Sequence, residues 1–297
     1  MAKLGFLGLG LMGASMARRL LQAGHEVALW SHTPGKAEKL AAEGKGTACA
    51  TPKEVGERSE CVFLCVGDTE MSRNVQLGTD GLIHGLKAGC VVADASTIAP
   101  KGSRAIGEEY AGRGIHFLDA PCTGSTPGAI NGTLTFMIGG DKEVFERAKP
   151  WFEPMGKLFY YCGGPGMGLE AKLTQNLVLA NIMQAFSEGI VLSTKAGVDP
   201  ALMLQILDNS AAKSGLISFK APFVLKRDFK TNFSTKWMHK DVSLALESGE
   251  EQNVPLPLTA VTQQMLRATI AKGYGDDDFC SMIRQEEEWA GVEVKNP

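Results

Sequence analysis

Two polar residues near the start of a long predicted helix are the first candidates for chemistry in this sequence. Lys172 and Asn176 are four positions apart, so a helix places them on one face. A lysine transfers protons near neutral pH when an apolar environment lowers its pKa, and an amide can hold a carbonyl oxygen or an ammonium. The alternative is a solvated first helical turn, where most lysines are found.

Two loops that contain hydroxyl groups are the second candidates. The sequence DAST occupies residues 94–97 and DAPCTGS occupies residues 119–125, and each follows an apolar strand. Open α/β sheets bind ligands beyond the carboxyl ends of their strands. Backbone N–H groups beside a hydroxyl and a glycine suit a carboxylate, which indicates Ser96, Thr123 and Gly124. Each loop taken alone is equally compatible with an ordinary turn.

The N-terminal segment has the pattern of a dinucleotide-binding turn. An apolar strand at Lys3–Leu7 leads into GLGLMG at residues 8–13, then into a helical run and a second strand at Glu26–Trp30. In this order, G-x-G-x-x-G places a pyrophosphate at the helix N-terminus, where unpaired N–H groups attract anions. We therefore predict cofactor contacts at Gly8, Gly10, Leu11, Met12 and Gly13.

The turn after the second strand bears on the choice of coenzyme. An Asp or Glu at this place would bind a ribose 2′-hydroxyl and indicate NAD. Here the sequence is SHTPGK at residues 31–36, and no carboxylate follows until Glu38. Hydroxyl and basic donors replace it, which are Ser31, His32, Thr33 and Lys36. These donors favour a 2′-phosphate, so we predict NADP, with NAD as the alternative.

The elements that must position these residues alternate between strand and helix up to about residue 163. Predicted strands follow the first two at Cys61–Val66, Val91–Asp94, His116–Leu118, Thr133–Gly139 and Leu158–Cys162. Helical stretches lie between them, including Lys36–Glu43 and Lys142–Pro154. This alternation is typical of a doubly wound parallel sheet. We expect an α/β fold with a Rossmann-type domain over residues 1–163.

Beyond residue 163 we predict a second domain, all-helical, over residues 164–297. Its first element is a long linking helix at about residues 168–196, roughly 42 Å long, which is apolar on most sides between Leu177 and Phe186. Further helices are predicted at residues 200–209, 238–253 and 258–271, and a weaker one at 218–225 that Pro222 interrupts. Because so apolar a helix needs more cover than this domain supplies, we expect a homo-oligomer with a helical interface.

Composition excludes several classes of function. The net charge of −3 without a basic run gives no support for binding nucleic acid or an anionic membrane. Apolar runs are interrupted well short of ~20 residues, so no membrane-spanning helix is expected, and the N-terminus lacks the features of a signal peptide. Seven cysteines without a C-x-x-C pair indicate free thiols, no metal site and a cytoplasmic protein.

Taken together, these motifs resemble the β-hydroxyacid dehydrogenase family related to 3-hydroxyisobutyrate dehydrogenase, most closely its glyoxylate/succinic semialdehyde reductase branch. GFLGLGLMGASMARRL looks like the family's cofactor signature, and DAPCTG resembles its D-x-P-V-S-G substrate motif. Gly168, Lys172 and Asn176 match G-x-x-x-K-x-x-x-N, in which the lysine is catalytic. Lys240 and Asp241 match a late K-D pair, and Phe233 matches the aromatic residue eight positions before that aspartate.

The resemblance implies a reaction and a role for each matched residue. Hydride passes between a nicotinamide cofactor and a small semialdehyde or 2-oxo acid, while Lys172 supplies the proton and Asn176 assists it. Thr123 and Gly124 would hold the substrate carboxylate with help from Ser96. Further substrate contacts are expected at Phe233 and Asp241, and further cofactor contacts at Val66, Thr97 and Lys240.

Two other functions compete with this interpretation. Imine reductases share the fold and cofactor but typically carry another proton donor, so Lys172 argues against them. A non-catalytic dinucleotide-binding protein would be expected to lack the lysine. Within the favoured interpretation, the candidate substrates are glyoxylate, succinic semialdehyde, methylmalonate semialdehyde and tartronate semialdehyde. The predicted oligomer is either a dimer or a tetramer.

Overall fold

The computed structural model describes residues 1–296 and divides the chain into two units. The first comprises Met1–Lys172 and the second comprises residues 173–296. The division falls within one long helix, whereas the predicted domain boundary near residue 163 precedes that helix. Each unit has its own hydrophobic core and is described separately below.

The first unit is built on a single sheet. Its described residues form nine strands, which are β1 (Lys3–Leu7), β2 (Glu26–Trp30), β3 (Gly46–Ala48), β4 (Cys61–Leu64), β5 (Val91–Asp94), β6 (His116–Asp119), β7 (Cys122–Thr123), β8 (Leu134–Gly140) and β9 (Gly156–Gly163). Seven of these were predicted to within a few residues, while the short strands β3 and β7 were not. The expected α/β fold is confirmed.

Strand order explains where ligands can bind. The sheet runs β3-β2-β1-β4-β5-β6-β8-β7, with β9 beside β8. Strands β1 to β6 are parallel, and the order reverses between β1 and β4, where open α/β sheets bind dinucleotides. The parallel prediction fails at β8, which is antiparallel to β6 and β7.

Helices cover both faces of this sheet. They are α1 (Leu11–Gln22), α2 (Lys36–Ala41), α3 (Pro52–Glu57), α4 (Thr69–Leu77), α5 (Pro100–Ala111), α6 (Ser125–Asn131) and α7 (Lys142–Phe152). Within β4, Phe63 belongs to one core cluster, whereas Val62 and Leu64 belong to the cluster on the other face. Because both faces are buried, the strands are continuous apolar runs instead of alternating ones.

The second unit is helical. After α8 (Met167–Lys195), which begins in the first unit, the helices are α9 (Pro200–Asp208), α10 (Gly215–Leu225), α11 (Thr235–Glu251), α12 (Pro257–Thr269) and α13 (Ile283–Ala290). A π-helical turn at Ile270–Tyr274 and a 3₁₀ turn at Phe279–Met282 complete it. Helix α10 continues through Pro222, contrary to the expected interruption, since its flanking Ala221 and Val224 are buried in the core.

Helix α8 is the longest element and is less buried than the sequence suggests. Among the described residues it is the one helix long and apolar enough to cross a bilayer by length and composition, which the interrupted apolar runs did not predict. A core helix of a folded protein passes the same test. Its polar positions Lys172 and Asn176 are buried, while the apolar Val178 and Leu192 are exposed.

Candidate active site

The glycine-rich turn after β1 has the geometry of an anion cradle. Gly8 has φ 91°, and a Cβ there would lie 2.3 Å from the Cys65 carbonyl oxygen. A Cβ on Gly13 would lie 1.9 Å from the Gly8 oxygen, so neither position accepts a side chain. A Cβ on Gly10 would instead meet no atom within 4 Å. The space beside Gly10 is therefore open at the point where the pyrophosphate was predicted.

Helix α1 leaves its first amides available. Gly10 precedes it without a side-chain cap, so within the described chain the N–H groups of the first turn have no capping oxygen. Leu11 is exposed and Met12 is half-buried on this turn. A helix N-terminus with free N–H groups favours an anion. The residues present therefore fit the pyrophosphate of a dinucleotide.

The predicted coenzyme turn borders a cavity of about 430 Å³. Its walls are formed by Trp30, Ser31, His32, Thr33, Pro34, Ala37, Glu38, Cys49 and Ala50. The Thr33 amide donates to Ser31 Oγ at 3.3 Å, and Thr33 Oγ1 lies 3.4 Å from His32 Nε2. The cavity thus contains three of the four predicted donors, whereas Lys36 is not among its lining residues. It also contains the carboxylate of Glu38, which sequence reasoning placed outside the site.

Strand register brings the predicted loops to one edge of the sheet. Leu7 pairs with Trp30 on one side and with Leu64 on the other, and Asp94 pairs with Leu64 and Asp119. Each loop of the first unit that was predicted to contact the cofactor or the substrate begins just after this row of paired strand-end residues. The carboxyl ends of the parallel strands therefore gather those loops as predicted from the fold.

A buried carboxylate organises the loop after β5. Asp94 accepts hydrogen bonds from Ser72 Oγ (2.6 Å), Gln76 Nε2 (3.0 Å) and the Ser96 amide (2.9 Å). Ser96 Oγ in turn accepts from the Val66 amide at 2.9 Å. Burial raises the pKa of Asp94, and its hydrogen bonds oppose that shift.

Two predicted site residues, Ser96 and Thr97, lie in this loop. The Ser96 hydroxyl is engaged by protein groups and joins the β4 and β5 loops, and Thr97 follows it, half-buried. Sequence reasoning missed Ser72 and Gln76, although their spacing of four places both on one face of α4. This spacing was the available signal, but their burial, which makes it meaningful, is visible only in the structure.

The predicted carboxylate-binding loop is held by a very short strand. Thr123 in β7 pairs with Thr135 of β8, and Gly124 follows with φ 128°, a conformation that favours glycine. Thr123 is half-buried and Gly124 is exposed. The Thr123 hydroxyl and the Gly124 backbone therefore lie at the sheet edge, at the start of α6.

Asp119 ties this loop to the start of α8. Its buried carboxylate accepts from the Gly166 amide at 2.7 Å and from the Leu169 amide at 2.9 Å. Burial raises the pKa of Asp119, while these backbone hydrogen bonds lower it. Gly168 packs so closely that a Cβ would lie 2.4 Å from the Met137 carbonyl oxygen. The helix that carries Lys172 is thus fixed to the start of the predicted carboxylate-binding loop.

Lys172 is buried, with 8% of its surface exposed. Burial raises the pKa of the Cys122 thiol to about 11, and the charge of Lys172 opposes that shift. The hydrogen bonds of Asp119 join the start of the lysine's helix to the segment that leads into Thr123. The alternative of a solvated first helical turn is therefore wrong.

The second unit holds the other predicted residues in one buried network. Asn176 is 2% exposed, and its amide donates to Asp241 Oδ2 at 2.5 Å. The other oxygen of Asp241 forms an ion pair with Lys240 Nζ at 2.9 Å. Asp241 is therefore not a surface residue, which the sequence had left as an alternative. Phe233 is half-buried and packs edge-on against Phe279, with ring centroids 6.2 Å apart.

These groups can position a small acid and move a proton. The described residues contain no group of three or more His, Cys, Asp or Glu side chains suited to a metal ion. The first unit contains a buried lysine, a hydroxyl–glycine loop and an open helix N-terminus. In the second, a carboxylate joins an amide to a second lysine. The groups of the first unit suit proton transfer coupled to a bound dinucleotide.

Two family models match the chain and together span most of it. Residues 3–164 match the NAD-binding domain of 6-phosphogluconate dehydrogenase. Residues 166–285 match the NAD-binding domain of NADP-dependent 3-hydroxyisobutyrate dehydrogenase.

Individual relatives cover nearly the whole length. The 2-(hydroxymethyl)glutarate dehydrogenase of Eubacterium barkeri is 35% identical over 98% of this chain and 97% of its own. The chloroplastic glyoxylate/succinic semialdehyde reductase 2 of Arabidopsis thaliana is 34% identical over 94% of this chain and 78% of its own. The solved structure of Mycobacterium tuberculosis 3-hydroxyisobutyrate dehydrogenase with L-serine has a TM-score of 0.89 at 30% identity, covering 96% of this chain and 99% of that one.

Proposed function

The chain belongs to the β-hydroxyacid dehydrogenase family and is an NAD(P)-dependent oxidoreductase, and from this premise we propose that it reduces a small semialdehyde or 2-oxo acid with Lys172 as proton donor. The observation that carries the proposal is the burial of Lys172 near the start of α8, which Asp119 joins to the segment leading into Thr123. A buried lysine is better suited to transferring a proton than to keeping the protein surface soluble.

In this proposal the first unit binds the cofactor. When bound, the nicotinamide coenzyme supplies the hydride for reduction and accepts it in oxidation. The open N-terminus of α1 binds the pyrophosphate, and the cavity beside His32 takes the ribose at the end of β2. Val66 and Thr97 follow β4 and β5 and border the nicotinamide end.

Lys172 moves the proton that accompanies the hydride. As an ammonium it donates to the carbonyl oxygen during reduction, and as an amine it takes the proton back during oxidation. Asn176 lies one turn further along α8 on the same face and orients the oxygen or the ammonium. Asp241 fixes the Asn176 amide and pairs with Lys240, so the amide cannot rotate freely.

The substrate is a small carbonyl compound with a carboxylate a few atoms away. Support comes from the Thr123–Gly124 loop, whose preceding segment Asp119 joins to the start of α8, and from the oxo and hydroxy acids in the names of the relatives. Steady-state kcat/KM for glyoxylate, succinic semialdehyde, methylmalonate semialdehyde and tartronate semialdehyde, each with both coenzymes, tests the proposal. Turnover of none of these would contradict it.

A charge-removal experiment tests the carboxylate site. We expect the methyl ester of the best substrate to lose about 10²-fold or more in kcat/KM, because a site built to bind an anion rejects the neutral analogue. The measurement compares acid and ester at equal concentration, with Thr123→Val as the matched variant. In that variant the difference in kcat/KM between the acid and the ester should be smaller. Equal activity on acid and ester in the wild type would remove Thr123 and Gly124 from the site.

We propose NADPH as the preferred coenzyme, by a modest margin. His32 and the hydroxyl groups favour a 2′-phosphate, but Glu38 lines the same cavity and repels it. We therefore expect His32→Arg to sharpen the NADPH preference, since a guanidinium holds phosphate in two hydrogen bonds. Glu38→Gln should act in the same direction. The measurement is kcat/KM with NADPH and NADH, and a wild-type preference for NADH would contradict the assignment.

We also propose that the chain forms a homo-oligomer through its second unit. Large apolar side chains are exposed on five of its helices: Val178, Leu192, Leu202, Ile206, Phe219, Leu258, Val261 and Trp289. Apolar surface on this scale is usually covered by a partner. Light scattering at micromolar concentration should give a dimer or tetramer of the 31.7 kDa chain. A single 31.7 kDa species would contradict the proposal.

A further inference from the structure

A buried ion pair in the second unit lies next to the predicted substrate residue Phe233. Lys220 of α10 is 3% exposed and Asp278 is 2% exposed. Lys220 Nζ donates to both carboxylate oxygens of Asp278 at 2.8 Å. Three aromatic rings surround the ammonium at 4.9–5.8 Å, those of Phe219, Phe279 and Phe223.

The Asp278 carboxylate does more than neutralise the lysine. It also accepts from the backbone amides of Asn232 (3.0 Å), Phe233 (3.1 Å) and Cys280 (3.2 Å). Residues 231–233 belong to no helix or strand. The amides of Asn232 and Phe233 are satisfied by a side chain that is distant in sequence, so that side chain sets the local backbone conformation.

Backbone contacts extend this anchor to the start of α11. The Phe279 amide donates to the Phe233 carbonyl at 3.0 Å, and the Thr235 amide donates to the Asp277 carbonyl at 2.9 Å. Thr235 is the first residue of α11. Fewer than two turns later this helix carries Lys240 and Asp241, the groups bound to one another and to Asn176.

We propose that Asp278, neutralised by Lys220, is a positioning residue for substrate binding. It holds the Phe233 backbone and the start of α11, and thereby sets the place of the Phe233 ring and of Asp241. The inference rests on the proposed function, together with the substrate contacts that the family resemblance implies for Phe233 and Asp241. A buried ion pair is seldom more stable than a hydrophobic replacement, so a role in fixing conformation accounts for it better than a role in stability.

The helical unit offers a matched control. Glu287 is 6% exposed, accepts from Arg227 at 2.5 and 2.9 Å, and also accepts from the Val294 amide at 2.8 Å. It is thus a second buried carboxylate with a cationic partner and a backbone donor. Its cationic partner, Arg227, follows α10, and its backbone donor, Val294, follows α13. These contacts of Glu287 therefore lie outside residues 231–241, which Asp278 anchors.

The test compares Asp278→Asn with Glu287→Gln in the full chain. We expect Asp278→Asn to raise KM for the best semialdehyde by about tenfold, which is ~1.4 kcal/mol, while KM for the coenzyme changes less than about twofold on the same scale. Hydrogen exchange of a peptide covering residues 231–236 should accelerate in Asp278→Asn and not in Glu287→Gln. Both variants should have lower Tm.

A double variant separates positioning from stability. Removing one partner leaves a buried unpaired charge, whereas Lys220→Met with Asp278→Asn removes both charges and should recover Tm. We expect the raised substrate KM and the faster exchange to persist in the double variant. Recovery of KM together with Tm, or equal kinetic effects of Asp278→Asn and Glu287→Gln, would overturn the inference. A wild type inactive on every semialdehyde would instead contradict the proposed function, while exchange at residues 231–236 still tests the anchor.

Discussion

Lys172→Ala should lower kcat by about 10²–10⁴-fold, the range that a positioned proton donor contributes. Coenzyme binding should change little, because the coenzyme contacts that we propose, at the open N-terminus of α1 and in the cavity beside His32, do not include Lys172. The measurements are kcat with the best semialdehyde and the Kd of the coenzyme from fluorescence titration. Lys195→Ala, at the exposed end of the same helix, is the matched control and should leave kcat unchanged.

The arginine variant distinguishes proton transfer from simple electrostatics. Arginine keeps the positive charge but does not release a proton near neutral pH, so Lys172→Arg should restore little of the lost rate. An electrostatic role predicts substantial activity in this variant. Because Lys172 is buried, thermal unfolding must be recorded for both variants, so that rates are compared between folded proteins. Near-wild-type kcat in a folded Lys172→Ala protein would place the proton donor elsewhere.

Most of the first unit was predictable because its signals are local. Short apolar runs separated by helical stretches gave β1, β2 and β5 with their observed bounds. The long helix was predicted at Leu169–Ala196 and is observed at Met167–Lys195. Both results depend on residues close together in sequence, where periodicity and turn chemistry decide the structure.

Features that depend on distant contacts were missed. The direction of β8 depends on its pairing with β6 and β7, which no local pattern encodes. Pro222 lies inside α10, although proline disfavours helix interiors and an interruption was predicted there. Here tertiary burial of the helix outweighs the local preference.

The site shows the same division between local and distant information. Motifs identified the residues assigned to ligands, because their spacing follows from single turns and helices. The residues that support them were not predicted. Gln76 donates a hydrogen bond to Asp94, 18 positions away in sequence, and Lys220 donates to Asp278, 58 positions away. Sequence alone also allowed Lys172 to be solvated, because burial depends on what packs against the helix, as the Met137 backbone does at Gly168.

The second large effect is expected at Gly168, where α8 begins against the sheet. A Cβ there would lie 2.4 Å from the Met137 oxygen, 2.8 Å from the Gly139 nitrogen and 2.9 Å from the Asp119 oxygen. All three are backbone atoms, so the helix itself must shift in Gly168→Ala. Overpacking of this kind costs about 1–3 kcal/mol, although alanine is intrinsically the better helix former by roughly 1 kcal/mol.

This shift should reach the chemistry, because Lys172 lies one turn after Gly168 on the same face. A displacement of about 1 Å at a reacting group can cost about 10²-fold in rate, so we expect kcat/KM to fall by that order and Tm to fall with it. Gly164→Ala is the control, since a Cβ there meets no atom within 4 Å. Measurement of kcat/KM and thermal unfolding for both variants separates the outcomes. A Gly168→Ala protein with wild-type rate would mean that the start of α8 can move without carrying Lys172 away from the substrate, and the anchoring by Asp119 would then have no catalytic role.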